Sequence, residues 1–113
     1  MRLPLRHEVL VHVLNVIRLV RPIIGVVARC DRDLASQIRR ATSSIGLNVS
    51  EAFGAQAGNS RVRFETARGS LYEMEAGLLM AEAWGYVAET DITAALTESR
   101  SLGARIYGLS KKQ

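Results

Sequence analysis

The sequence predicts an all-α protein that folds as a single antiparallel, up-down-up-down four-helix bundle over residues 1–113. Apolar residues recur at steps of three and four in four separate segments, which is the spacing of helices with one buried face. No segment keeps the alternation of apolar and polar residues that marks a strand. The chain has 113 residues, of which 48% are apolar, so it is long enough to bury its own core.

The first predicted helix begins after Pro4, and we expect Pro22 to kink or end it. Proline lacks the backbone N–H and disfavours helical geometry at the residue before it. One or two further helical turns are expected over residues 23–28. The buried positions predicted for this helix are Val9, Leu10, Val13, Val16, Ile17 and Val20.

Residues 10–27 are rich in Val, Leu and Ile, but arginines and Pro22 interrupt them. We therefore expect neither a membrane span nor a signal peptide here, and we predict a soluble, cytoplasmic protein without a membrane partner. The single cysteine, Cys30, suits a reducing compartment. Its arginine neighbours would favour a reactive thiolate, but an inert loop residue is the simpler interpretation.

The second predicted helix is capped by Asp31 or Asp33, and the glycine-containing stretch 54–58 ends it. Thr90 or Asp91 is expected to open the fourth helix, and Gly85 is placed in the left-handed turn before it. The buried positions predicted for these two helices are Leu34, Ile38, Thr42, Ile45, Val49 and Phe53 in the second, and Ile92, Leu96, Ser99, Leu102, Ile106 and Leu109 in the fourth.

The third predicted helix is capped by Asn59 or Ser60 and carries the most regular pattern. Its repeat is Phe64, Leu71 and Leu78, with Ala67, Met74 and Ala81 three positions later. This repeat predicts packing at about 20° to a neighbouring helix. The alternation of large and small residues predicts close approach around Ala67 and Gly77. A mid-helix glycine costs about 1 kcal/mol relative to alanine, so we also expect another backbone to approach Gly69.

Charge is distributed unevenly along the chain. Thirteen of the fifteen basic residues are arginine, and the net charge is +6 through Arg68 but −4 from Gly69 to Ser110. Arginine pairs bidentately with phosphate or carboxylate, so the partner is either a nucleic-acid backbone or the acidic face of another copy. The candidate nucleic-acid-binding residues are Arg39, Arg40, Arg61, Arg63 and Arg68. Aromatic residues make up only 5% of the chain, so we expect little base stacking.

Polar residues on the second and third helices form a second candidate group. Because an unpaired buried charge is costly, we expect them to pair between helices and fix their register. A ligand-contacting cluster is the alternative. The residues assigned to this network or to a subunit interface are Asn48, Glu51, Gly69, Ser70, Glu73 and Glu75.

The residue patterns of common catalytic sites are missing. The sequence contains no P-loop, dinucleotide glycine fingerprint or thiolate cluster. Its two histidines are His7 and His12, and Glu8 and His12 are expected to be a solvated pair rather than metal ligands. We therefore predict no enzyme activity, no cofactor and no metal.

Two stretches carry a family resemblance. SQIRRATSSIGLNVSEAFG (residues 36–54) and RFETARGSLYEMEAGLLMAEAWGY (residues 63–86) resemble the four-helix-bundle proteins known as 23S ribosomal RNA intervening-sequence proteins. The matching positions are Arg39, Arg40, Asn48, Glu51, Gly69, Ser70, Glu73, Gly85 and Tyr86. Two positions depart from the family pattern. Gly46 replaces a frequent proline, which should loosen the helix locally, and residues 52–55 lack the arginine of the family's loop, so a phosphate contact there is in doubt.

The resemblance implies a bundle that assembles as a homopentameric ring, with genes often lying inside ribosomal RNA spacers. A related group serves as the accessory protein of retroelements and binds reverse transcriptase and nucleic acid, and no enzyme activity is implied. In such a ring an arginine-rich face would meet Glu75, Glu82 and Glu89 of the next subunit. We thus predict an oligomeric nucleic-acid-binding module, and the alternative is a protein-interaction scaffold, of the reverse-transcriptase accessory type, that does not bind nucleic acid.

Overall fold

Four long helices account for almost all of the chain. The computed structural model describes residues 4–113, and α1 (Leu5–Cys30), α2 (Arg32–Gly54), α3 (Ala57–Ala83) and α4 (Glu89–Lys111) follow one another with short connections. No strand occurs within those residues. The predicted all-α class is confirmed.

The helices lie side by side and consecutive helices run in opposite directions. A helix of 26 residues is about 39 Å long, and the longest dimension of the molecule is 42 Å, so the helices cannot be placed end to end. The contacts between α2 and α3 also join residues whose separation in sequence increases along the pair of helices. Ser60 contacts Ala52, Ser70 contacts Ser44 and Gly77 contacts Ile38. This opposed order is that of an antiparallel pair.

The same order relates α4 to both of its neighbours. Arg68 and Glu75 on α3 contact Tyr107 and Ser99 on α4, respectively. His12 on α1 contacts Glu98, while Glu8, one turn earlier, pairs with Arg105. The four helices therefore close into an up-down-up-down bundle with α1 beside α4.

Helix α1 continues through Pro22 to Cys30, so of the two effects expected of the proline, a kink or an end, the end does not occur. Pro22 is exposed, whereas Val20, Ile23 and Val27 are buried on the opposite side of the helix. Packing on both sides of the proline holds the helix to one core. Helix α1 is also long and apolar enough to cross a membrane by length and composition, a test that core helices and signal sequences also pass.

Capping confirms one predicted helix start and corrects another. The Asp31 carboxylate accepts a hydrogen bond from the Leu34 N–H at 3.0 Å, as expected of the α2 cap. Helix α3 begins at Ala57, earlier than Asn59 or Ser60. The Ser60 hydroxyl donates instead to the Ala52 carbonyl near the end of α2. Ser60 therefore ties α3 to α2 rather than starting α3.

The connection between α3 and α4 contains the predicted left-handed glycine, and α4 begins close to its predicted start. Gly85 has a φ of +82°, the left-handed geometry that favours glycine. Helix α4 begins at Glu89, one residue before the predicted start at Thr90 or Asp91. The Asp91 carboxylate accepts a hydrogen bond from the Ala88 N–H at 2.8 Å, so it stabilises the first turn from within the helix.

The core follows the seven-residue pattern of α3, whose six predicted positions are all buried. Close approach occurs at Gly77, where a Cβ atom would lie 2.6 Å from Ile38 Cγ1. Gly69 behaves differently. It is exposed, and no other part of residues 4–113 comes within 4 Å of the position its Cβ would take. The expected approach of another backbone to Gly69 is therefore wrong within this chain.

Candidate nucleic-acid interface

A basic groove runs between α2 and α3. It has a volume of about 460 Å³, and Arg39, Arg40 and Arg63 contribute its positive charge. Leu47, 65% exposed, and Ser43 also line it. The helical spacing of Arg39, Arg40, Ser43 and Leu47 places them on the outward part of α2, where the core does not constrain them. We name this surface the α2–α3 groove.

Arg63 is held in place by two groups on α2. Its Nε lies 3.0 Å from Glu51 Oε2, and its Nη1 donates to Asn48 Oδ1 at 3.4 Å. Arg39 and Arg40 are exposed and form no ion pair within residues 4–113. The groove thus combines one positioned, partly neutralised guanidinium with two whose charge is not balanced by a neighbour. An anion entering the groove meets net positive charge.

Hydrogen bonds between uncharged groups connect Asn48, which lines the groove, to α3. The Asn48 amide donates to the Ser44 carbonyl at 2.9 Å and to its hydroxyl at 3.0 Å. That hydroxyl lies 2.7 Å from the Ser70 hydroxyl on α3. Glu51, Arg63, Asn48, Ser44 and Ser70 therefore form one continuous polar network across the two helices. Because the network joins α2 to α3, it fixes the register of one helix against the other.

The five arginines assigned to nucleic acid do not form one patch. Arg61 and Arg68, seven residues apart on α3, share a stripe of that helix, and neither lines the α2–α3 groove. Arg68 Nη1 lies 3.0 Å from Glu65 Oε2, and its guanidinium lies 4.6 Å from the centre of the Tyr107 ring on α4. The hydrogen bond to the Tyr72 hydroxyl raises the pKa of Arg68, which stays charged. The predicted patch retains Arg39, Arg40 and Arg63 only.

The predicted polar group also divides. Asn48, Glu51 and Ser70 belong to the network described above, whereas Glu73 is exposed and has no side-chain partner within residues 4–113. Glu75 accepts a hydrogen bond from the Ser99 hydroxyl at 2.7 Å, so it links α3 to α4. Gly69 lies on the outer face of α3, near Glu73 and away from the network.

The sequence did not reveal a cluster of charged residues between α1 and α4. His12 Nε2 lies 2.8 Å from Glu98 Oε1, and Arg105 Nη2 lies 3.6 Å from Glu8 Oε2. His12 is mostly buried and contacts Glu98, so it is not solvated as expected. The seven-residue spacing of Glu98 and Arg105 indicates a shared face, but not that this face meets α1. No group of three metal-ligating side chains occurs in the part of the chain that the structure describes.

Comparison with known families gives one match. The model of a family described as 23S rRNA-intervening sequence protein matches residues 16–108. This range begins within α1, ends within α4 and contains every residue of the α2–α3 groove. Searches among curated proteins and among solved structures found no match.

Proposed function

The chain belongs to the family of 23S rRNA-intervening sequence proteins, and we propose that it is a non-enzymatic, oligomeric module that binds the phosphate backbone of RNA or DNA. The family name connects the chain with RNA. The α2–α3 groove supplies chemistry that suits this partner, because guanidinium groups bind phosphate oxygens bidentately.

The observation that carries the proposal is the unpaired state of Arg39 and Arg40 beside a positioned Arg63. Structural arginines are normally balanced by carboxylates, as Arg68 is by Glu65. Among the groove's lining residues, one carboxylate, Glu51, accompanies three guanidinium groups. The groove has no aromatic lining residue that would stack a base. It therefore suits contacts to the backbone, which position a nucleic acid without reading its sequence.

Self-association is supported by the outer face of α3. Its exposed positions recur at alternating steps of four and three residues, which is the repeat of a helix-packing seam. Small side chains are frequent among them, so a second helix would be able to approach closely. These exposed positions are Val62, Thr66, Gly69, Glu73, Ala76, Met80 and Ala83. We propose that a second copy covers this face and that repetition of the contact closes a ring, with the pentamer as the expected number.

A salt-titrated binding assay tests the nucleic-acid proposal. Arg39→Gln and Arg40→Gln should each weaken binding to RNA duplexes of unrelated sequence to a similar degree. Arg18→Gln is the matched control, because Arg18 is an exposed arginine on α1 that bonds only Asn15 within its own helix. Equal affinities for the groove variants and the control would contradict the proposal.

The second candidate is a homo-oligomeric protein scaffold, of the kind that accompanies a reverse transcriptase, without direct nucleic-acid binding. The outer face of α3 favours it, because an extended apolar and small-residue seam suits protein rather than phosphate. Under this alternative Arg39 and Arg40 lie between subunits. Charge reversal at Arg40 would then lower the sedimentation mass, and RNA would not bind even at low salt.

A further inference from the structure

A second cleft, between α3 and α4, has a chemistry different from that of the α2–α3 groove. It has a volume of about 340 Å³ and is lined by Tyr72 and Tyr107 together with Arg68 and Arg100. Tyr72 and Tyr107 are 57% and 43% exposed, respectively. We name this surface the tyrosine cleft. Although aromatic residues are scarce in the sequence, the fold brings two of the three tyrosines to one site.

Arg68 holds both rings in position. Its Nη2 donates to the Tyr72 hydroxyl at 3.3 Å, and its guanidinium lies over the Tyr107 ring, 4.6 Å from the ring centre. Glu65 binds the Nη1 of the same guanidinium through both carboxylate oxygens, at 3.2 and 3.0 Å. Arg68 is therefore occupied within the protein. It orients the tyrosines, and both residues stay partly exposed beside it.

Arg100 contributes a positive charge to the cleft. It lines the tyrosine cleft from α4, it is exposed, and it forms no ion pair within residues 4–113. Glu75 also lines the cleft, and its carboxylate accepts a hydrogen bond from the Ser99 hydroxyl. Lys111 adds positive charge beside Tyr107, with its Nζ 5.2 Å from the ring centre. A ligand in this cleft meets aromatic surface and cationic groups together.

We propose that the tyrosine cleft binds a nucleotide, either free or as one unit of a single strand. The base would stack on an exposed tyrosine face, and the phosphate would pair with Arg100. Base stacking on aromatic side chains with a cation nearby is the usual chemistry of sequence-tolerant nucleotide binding. A bare anion would use Arg100 alone and gain nothing from the rings. The proposal goes beyond backbone binding by the α2–α3 groove, because it places a base contact on the opposite edge of α3.

Titration with adenosine monophosphate, followed by NMR of labelled tyrosine rings, tests the proposal on the intact chain. We expect saturable shifts of the Tyr72 and Tyr107 signals and unchanged Tyr86 signals. Arg100→Gln should weaken binding about tenfold, since a charge-assisted contact is lost. This variant changes an exposed side chain that forms no ion pair within residues 4–113, so the fold should be retained. Tyr107→Leu, checked by circular dichroism, should weaken binding by a comparable factor.

Three further arms separate the outcomes. A single-stranded pentanucleotide that binds when the mononucleotide does not would assign the site to a strand, and mononucleotide binding would assign it to free nucleotide as well. Inorganic phosphate binding as tightly as adenosine monophosphate would overturn the proposal, as would the absence of tyrosine shifts with both the mononucleotide and the pentanucleotide. Arg39→Gln should leave the tyrosine shifts unchanged, so failure of the α2–α3 groove would be seen separately.

Discussion

The hydroxyls of Ser44 on α2 and Ser70 on α3 lie 2.7 Å apart, in the middle of the longest helix contact of the bundle. The Asn48 amide donates to the same Ser44 hydroxyl, and Asn48 also accepts a hydrogen bond from Arg63. Two small polar residues thus connect the packing of the two helices to the arginine that faces the groove. The position of Arg63 depends on the register that these serines help to set.

We expect Ser70→Ala to lower the free energy of unfolding by about 1 kcal/mol, because it removes one mostly buried hydrogen bond. Ser44→Ala should cost more, because the Ser44 hydroxyl also accepts a hydrogen bond from the Asn48 amide. The loss of stability in the double variant should be smaller than the sum of the losses in the two single variants, since either single change already breaks the hydrogen bond between the serines. Urea unfolding of the four proteins measures this coupling. Strictly additive effects would show that the two hydroxyls do not stabilise one another.

Gly77→Ala should destabilise the bundle. Its new Cβ would lie 2.6 Å from Ile38 Cγ1, and a β-branched side chain in a packed core has little room to move. Overpacking of this kind costs about 1–3 kcal/mol, which exceeds the gain of about 1 kcal/mol from helix propensity.

The matched control for Gly77→Ala is Gly69→Ala, on the same helix with no neighbour within 4 Å of the new Cβ. The free energy of unfolding of this control should be unchanged or higher by up to about 1 kcal/mol. Chemical denaturation compares the two variants. A Gly77→Ala protein as stable as Gly69→Ala would disprove the close contact with Ile38.

We expect subunits to associate through the outer face of α3. Ala76→Arg places a long charged side chain in this seam without touching the core, so the fold should persist while the assembly dissociates. Ala94→Arg, at an exposed position of α4, is the matched control. Sedimentation velocity should show a smaller particle for Ala76→Arg only. If both variants keep the mass of the unmodified protein, subunits do not meet at this face.

Tyr86 should make stability depend on alkaline pH. Burial raises the pKa of Tyr86, and the hydrogen bond that its hydroxyl donates to Asp31 at 3.1 Å raises it further. A group with a raised pKa in the folded state contributes its full stabilisation below the unfolded pKa, near 10, and loses it as pH rises towards the folded value. The free energy of unfolding should therefore fall above about pH 10.

Tyr86→Phe isolates this contribution. The variant should be less stable than the unmodified protein at neutral pH, and the difference should shrink between about pH 10 and the pKa of folded Tyr86. Thermal unfolding over a pH series measures both. A difference that stays constant across this range would show that the Tyr86 hydroxyl is not linked to folding through Asp31.

Periodicity predicted the helices well because burial repeats along each one. Phe64, Leu71 and Leu78 are all buried, and the Asp31 cap depends only on its own first turn. Helix α1 continues through Pro22 because buried residues on both sides of the proline hold it to the core. The start of α3 was misjudged because the Ser60 hydroxyl has a partner on α2, which no local pattern reveals.

The arginines show where sequence reasoning about the site stops. Arg63 and Arg68 are five residues apart on one helix, yet one faces α2 and the other faces α4. Which helix each residue contacts depends on how the neighbouring helices are arranged around α3. Spacing within a helix identifies residues that share a stripe, as Arg61 and Arg68 do, but the groove becomes visible only when two helices are placed together. The pairing of Tyr72 with Tyr107 is hidden for the same reason.

The salt dependence of RNA binding tests the central claim most directly. The logarithm of the binding constant should fall linearly with the logarithm of salt concentration, and its slope counts the phosphate contacts. For the Arg39→Gln/Arg40→Gln double variant we predict weaker binding and a slope shallower by about two contacts per engaged groove. Binding that is independent of salt, or a slope unchanged in the double variant, would contradict the assignment of the α2–α3 groove to the nucleic-acid backbone.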